Sequence, residues 1–129
     1  MTIRLATVSF VVADLDAAIG FFTNALGFRL VEDTLLDDGK RWVLVEAPGG
    51  GSRLLLAKAS GAAQVAAIGN QTGGRVGFFL ESTDFAADHA RMLAAGVIFL
   101  EEPRHEPYGT VAVFRDVCGN LWDLIQMRR

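Results

Sequence analysis

Cysteine is nearly absent from this chain of 129 residues, which contains Cys118 alone. A single thiol cannot form an intramolecular disulfide or a zinc site built from cysteines. Cys118 is followed by Gly119 and Asn120, a pair that predicts a turn and places no histidine base beside the sulfur. We therefore interpret Cys118 as an ordinary small side chain and not as a nucleophile.

Charge runs and long apolar runs are also missing. Twelve basic residues against fifteen acidic residues give a net charge of −3, and both signs are scattered along the chain. Because no basic cluster is present to neutralise a line of phosphates, nucleic acid is not an expected partner. No stretch reaches the roughly 18 apolar residues of a membrane-spanning helix. The apolar run 5–13 leads at once into Asp14 and Asp16, which argues against a secretory signal. We expect a cytoplasmic protein without a membrane partner, whose mean hydropathy of +0.32 describes a dense core.

One sequence unit occurs twice. Residues 8–22, VSFVVADLDAAIGFF, align without a gap with residues 76–90, VGFFLESTDFAADHA, so that Phe10 matches Phe78 and Asp16 matches Asp84. One inserted residue later, ALGF at 25–28 meets AAGV at 94–97. A repeat of this kind predicts a duplicated supersecondary unit.

Each copy predicts a strand, a helix and three further strands. Asp14 or Asp16 in the first copy and Asp84 in the second are suitable helix N-caps, and a glycine ends each helix. Strands are predicted at 28–35, 40–47 and 53–58, and again at 97–101, 110–115 and 121–126. The predicted fold class is therefore α+β.

The expected organisation is a single domain, 1–129, made of two tandem β-α-β-β-β modules. The modules cover about 3–59 and about 75–127, and the linker of about 60–74 is expected to be mobile or to contain a short helical turn. Their sheets are expected to form a curved mixed sheet with a concave cup and with the helices outside. A cup of this kind suits a small organic molecule.

The motifs VxDLDAAIxFF…LGF near the start and YGTVAVFxDxxGNLWDLIQ near the end resemble the vicinal oxygen chelate superfamily. This superfamily includes glyoxalase I, the bleomycin-resistance proteins and the extradiol dioxygenases, and the resemblance spans essentially the whole chain. In its metal-dependent members, the first strand of each half and a carboxylate from each last strand hold a divalent ion. A typical ligand set is His or Gln, Glu, His and Glu.

Most of these ligand positions have lost their metal-binding side chains here. The first position maps to Thr7, the second falls within 75–77, and the last strand of the first half has no carboxylate. Only Asp123 is left, aligned with the final Glu of the family's GNxxE ending. Because one carboxylate is too few for a catalytic divalent ion, we predict no cofactor within one chain. A metal site would need further ligands from a second subunit of a homodimer.

Strand alternation predicts the lining of the cup. Leu121, Asp123 and Ile125 share one side of the last strand, and Trp122 and Leu124 share the other. His105 and Tyr108 are expected at the rim, although a solvated loop role for His105 stays open, and His89 is expected on a helix surface. The candidate ligand-binding residues are Thr7, Ser9, Arg75, Phe79, His105, Tyr108 and Asp123.

Asp123 raises the main question, because a carboxylate inside an apolar strand needs a hydrogen-bond donor nearby. Two interpretations are open at this point. One is a structural ion pair with Arg75, or hydrogen bonds shared with water. The other is contact with a ligand, in which Asp123 is also the one candidate catalytic acid.

Two functions follow from the resemblance and the lost ligands. The first is binding of a small organic molecule by a superfamily member with a degraded metal site. The second is an enzyme, metal-free or with a rearranged site that uses Asp123, His105 and a second subunit. A glyoxalase-like lyase or isomerase is favoured over a dioxygenase, which would need two histidines and a carboxylate on iron. A protein-interaction module ranks last, because heptads and low-complexity tails are missing.

Overall fold

A computed structural model describes residues 1–128, and the chain divides into two units between Ile68 and Gly69. The division falls inside the predicted linker, which contains the short helix α2 (Ala62–Ala67). None of the helices in the described residues is long and apolar enough to cross a membrane.

The first unit has the predicted order of strand, helix and three strands. Asp14 caps the helix, since its Oδ1 accepts from the backbone nitrogen of Ala17 at 2.9 Å. The strands follow the order β1-β4-β3-β2, in which β1 runs parallel to β4 and the other pairs are antiparallel. The elements are β1 (Thr7–Val12), α1 (Leu15–Gly20), a π-helical turn (Phe21–Ala25), β2 (Arg29–Leu35), β3 (Arg41–Glu46) and β4 (Arg53–Lys58).

The second unit repeats this plan with one addition. Asp84 caps its helix through Ala87. The strand order is β5-β9-β8-β6, β5 runs parallel to β9, and the short strand β7 pairs with β8. The elements are β5 (Val76–Glu81), α3 (Phe85–Ala94), β6 (Ile98–Phe99), β7 (Arg104–Glu106), β8 (Gly109–Arg115) and β9 (Leu121–Met127).

Aromatic rings join α3 to its sheet. His89 stacks on Phe85 at 5.4 Å and meets the edge of Phe99 at 4.4 Å, measured between ring centroids. Phe99 then packs on Phe114, and Phe114 on Trp122. His89 is therefore half-buried between helix and sheet, so the plain helix-surface role expected for it is wrong.

A bulge at Gly77 changes which residues share a face of β5. The register pairs Val76 with Leu121 and then Phe78 with Trp122, which leaves Gly77 as an extra residue. A Cβ at Gly77 would lie 2.3 Å from Thr72 Cγ2, so this close approach requires glycine. Because a bulge reverses the alternation before it, Val76 shares the face of Phe79, whereas unbroken alternation along β5 would place Arg75 and Gly77 on that face.

Candidate ligand-binding site

Asp123 lies in the middle of β9 on the face of the second sheet that points away from α3. Its partner in β5 is Phe79 and its partner in β8 is Val113. Its sequence neighbours Trp122 and Leu124 are buried at 2% and 3% exposure, which confirms the predicted division of this strand. Phe79 is 63% exposed, so an aromatic ring and a carboxylate lie on adjacent strands about 4.8 Å apart. We call Phe79, Val113 and Asp123 the Asp123 face.

Asp116 fixes the turn that leads into β9. Its buried Oδ1 accepts from the backbone nitrogens of Cys118, Gly119 and Asn120 at 2.9, 2.9 and 3.0 Å. Its Oδ2 accepts from Asn120 Nδ2 at 3.0 Å and from Trp122 Nε1 at 2.8 Å. This carboxylate is fully used, and it holds Trp122 behind the Asp123 face. The role of Asp116 was not predicted, although an aspartate shortly before Gly-Asn is a usual signal of an Asx-type turn.

Asp123 is held differently. Its Oδ1 is buried and has no hydrogen-bond partner among the described residues. Burial raises the pKa of the Asp123 carboxyl, the charge of Arg104 opposes this shift, and the charge of Glu101 adds to it. The ionised form is therefore disfavoured by the protein's own packing.

The side chain of Glu101 makes the hydrogen bond to β8 that the next backbone carbonyl of β6 would otherwise make, beside the Asp123 face. Leu100 donates its backbone nitrogen to the carbonyl of Val113 at 2.8 Å, as an extension of β6 would. The backbone nitrogen of Val113 then donates to Glu101 Oε2 at 2.9 Å. Because a side-chain carboxylate replaces the next main-chain carbonyl, β6 ends at Phe99 and not at the predicted residue 101.

Arg104 is occupied by other partners. Its Nε donates to Glu101 Oε1 and its NH1 to Glu106 Oε1, both at 2.9 Å, and these hydrogen bonds raise its pKa. Tyr108 lies near Arg104 and adds to the rise of its pKa. Arg104 therefore acts on Asp123 through its charge, while its guanidinium is directed to the two glutamates.

The ion pair with Arg75, one of the two interpretations of Asp123, is not formed. The ion pairs among residues 1–128 do not include one between Asp123 and Arg75, and Arg75 is exposed just before β5. The cation that influences Asp123 is Arg104, which sequence analysis did not select. Arg104 lies on β7, whereas Asp123 lies on β9. Residue alternation along β9 alone therefore cannot predict that Arg104 lies near Asp123.

The other predicted ligand contacts lie on several elements. Tyr108 is 45% exposed next to Arg104. His105 lies on β7 and not in a loop, with its Nδ1 3.3 Å from Thr110 Oγ1. Thr7 and Ser9 are exposed on β1 of the first unit. Their contact with a ligand stays a prediction.

The donors present in one chain do not fit the divalent ion of metal-dependent relatives. The described residues contain no group of three or more His, Cys, Asp or Glu side chains that could hold a metal. Strand β4, RLLLAK, supplies no carboxylate, and Asp123 has the cation Arg104 nearby.

Comparison with known families identifies the class of protein that this duplicated fold defines. Residues 4–124 match the Glyoxalase/Bleomycin resistance protein/Dioxygenase superfamily. The chain belongs to this superfamily, as its motifs indicated.

Individual relatives agree with this membership. An uncharacterized protein of Shewanella frigidimarina (strain NCIMB 400) is 51% identical over 122 residues, which cover 93% of this chain and 90% of the relative. The crystal structure of UcmS2 has a TM-score of 0.83 at 31% identity and covers 97% of this chain and 98% of that chain. TnmS3, described as an antibiotic binding protein from Streptomyces sp. CB03234, has a TM-score of 0.79 at 29% identity over 99% of both chains.

Proposed function

We propose that this protein binds a small organic molecule at the Asp123 face of its second unit. The observation that carries the proposal is the buried, unpartnered Oδ1 of Asp123 beside the exposed ring of Phe79. A carboxylate without a donor lowers stability, so its presence in an apolar strand is better explained by a bound partner than by folding.

The chemistry of the face defines the ligand. The terminal side-chain torsion of an aspartate rotates over a broad range at little cost. This rotation allows the oxygens of Asp123 to accept a hydrogen bond from a donor outside the chain. The ligand should therefore carry an amine, amide or hydroxyl hydrogen for Asp123 and a flat apolar group for Phe79. The description of TnmS3 as antibiotic-binding supports a ligand of this kind.

Nitrogen-15 NMR titration with bleomycin and other amine-bearing aromatic antibiotics tests the proposal, together with native mass spectrometry of the protein as purified. We expect saturable shifts at the amides of Phe79, Val113 and Asp123, and no change in the ligand. Phe79→Ala and Asp123→Asn should each weaken binding by about tenfold, the usual value of one good contact.

The matched control is Leu93→Ala, which removes an exposed apolar side chain from α3. This variant should bind as the wild type does. Binding that is equally strong in Phe79→Ala and Asp123→Asn would place the ligand elsewhere. Absence of saturable binding across the whole panel, with no ligand carried by the purified protein, would refute the proposal.

A second candidate function rests on the raised pKa of Asp123. A carboxylate with a raised pKa is a stronger base, so a glyoxalase-like isomerisation could use it to take a proton next to a carbonyl. The hemithioacetal of methylglyoxal and glutathione is the direct test substrate. Turnover that Asp123→Asn abolishes would favour an enzyme over a binding protein.

A further inference from the structure

We infer that the first unit holds a second ligand site, specific for a small organic anion, in a groove at one end of its sheet. The groove has a volume of about 770 Å³ and lies where β1 and β4 end and β3 begins. All the residues that line it belong to the first unit, between Asp14 and Gln64. The inference therefore does not depend on the Asp123 face.

Both lysines of the chain line this groove. Lys40 and Lys58 both line it, and every other basic residue of the chain is an arginine. Lys40 follows the turn between β2 and β3, which Asp38 fixes by accepting from the backbone nitrogen of Lys40 at 2.9 Å. Lys58 is the last residue of β4. Within residues 1–128, neither lysine takes part in an ion pair.

Asp14 and Asp16, the two acids that line the groove, already have partners. Arg41 donates to Asp16 Oδ1 at 2.9 Å and, through two nitrogens, to Asp33 at 3.1 and 2.7 Å. This pairing raises the pKa of Arg41 and lowers the pKa of Asp33. Asp14, the other acid of the groove, caps α1 through its Oδ1. An anion from outside is therefore the natural partner for the two ammonium groups.

The remaining wall defines the rest of the ligand. Leu15, Ala57 and Ala59 are apolar, and Gln64 accepts from the backbone nitrogen of Ser60 at 2.8 Å, which leaves its amide NH2 as a donor. Lysine presents a compact charge with rotatable donors, which suits a carboxylate or a phosphate group. The groove should therefore take a carboxylate or phosphate monoester that carries a short apolar body.

Carbon-13 reductive methylation provides a specific test, because Lys40, Lys58 and the N-terminal amine of Met1 are the primary amines of the chain. Methylation keeps the charge, and the Met1 signal reports non-specific effects. Phenyl phosphate, titrated at a physiological salt concentration that screens weak surface attraction, should shift both lysine signals saturably with a Kd of about 1 mM or lower. The Met1 signal should not follow them. Inorganic phosphate should bind more weakly, because it lacks the apolar body.

Variants test the site with unmodified, nitrogen-15-labelled protein. The double substitution Lys40→Ala with Lys58→Ala should weaken phenyl phosphate binding by about tenfold, the combined effect of two exposed charge contacts. Lys40→Arg with Lys58→Arg should bind nearly as the wild type does, and Arg115→Ala in the second unit is the matched charge control. Unchanged thermal unfolding shows that each variant is folded. Linear, unsaturable shifts, or equal binding by the double alanine variant, would overturn the inference.

Discussion

Asp116 and Asp123 lie seven residues apart, and their carboxylates differ in hydrogen bonding. Asp116 accepts five hydrogen bonds from the turn and from Trp122. Asp123 has a buried Oδ1 without a partner among the described residues, and its pKa is raised. The first carboxylate stabilises the fold, whereas the second is disfavoured by it, and this contrast has consequences that stability measurements can detect.

Asp123→Asn should make the protein more stable at neutral pH. A raised pKa means that the folded state holds the Asp123 proton more tightly than the unfolded state does. The stability from this proton is complete below the ordinary pKa of 3.8 and is lost as the pH rises through the folded-state pKa. Urea unfolding at pH 7 should show a gain of about 1 kcal/mol, because asparagine keeps the shape of the side chain and removes the charge that burial disfavours.

The gain should shrink toward pH 3, where the wild-type carboxyl is protonated. Asp37→Asn, in an exposed hairpin turn, is the control and should not produce a comparable gain in stability. A loss of stability in Asp123→Asn at pH 7 would mean that Asp123 has a stabilising partner, in contradiction to the arrangement described above.

The charges around Asp123 can be tested by their opposite signs. Arg104→Gln removes the charge that lowers the pKa of Asp123, so the pKa should rise further. Glu101→Gln removes a charge that raises it, so the pKa should fall. Carbon-13 NMR titration of the Asp123 carboxyl measures both shifts. Shifts in the same direction in both variants would show that structural rearrangement outweighs charge.

Among the elements, the turn before β9 is the part of the site that depends most on one side chain. Asp116→Ala would remove the carboxylate that accepts from the indole nitrogen of Trp122 and from three backbone nitrogens. We expect a loss of about 3 kcal/mol in the free energy of unfolding, typical of a broken buried network. Asp38→Ala is the matched control, since Asp38 accepts one backbone hydrogen bond in an exposed turn. A comparable loss in both variants would contradict the importance given to Asp116.

The sequence predicts elements well where local chemistry decides them. Asp14 and Asp84 cap helices as expected, and the last strand separates Trp122 from Asp123 as its alternation predicts. Prediction fails where distant groups decide the backbone. The early end of β6 depends on Glu101, whose side chain bonds to β8, and the bulge of β5 is defined only by its register with β9.

On the scale of the whole molecule, duplication makes the fold predictable but leaves the site open. Both copies form the predicted strands, and the family follows from motifs spread along the chain. The neighbours of Asp123 are far from it in sequence, because Phe79 reaches it through β5 and Arg104 acts from β7. The repeat also gives no indication of the lysine groove, which only the first unit contains.

Metal binding is the property that separates the binding function proposed above from a metal-dependent enzyme. One chain offers Asp123 beside Arg104, with no second carboxylate from β4. Asp123 and its neighbour Glu101, which is already bonded to Arg104 and to the backbone nitrogen of Val113, make a poor site for a divalent ion, which needs about three protein ligands. Calorimetric titration of protein purified without chelator should therefore show no stoichiometric binding of Ni²⁺ or Zn²⁺ tighter than about 10 µM.

Asp123→Ala should behave as the wild type does in this titration, with Asp37→Ala as control. Stoichiometric binding that Asp123→Ala alone abolishes would require ligands from a second copy of the chain, and would replace the binding function proposed above with a metal-dependent enzyme.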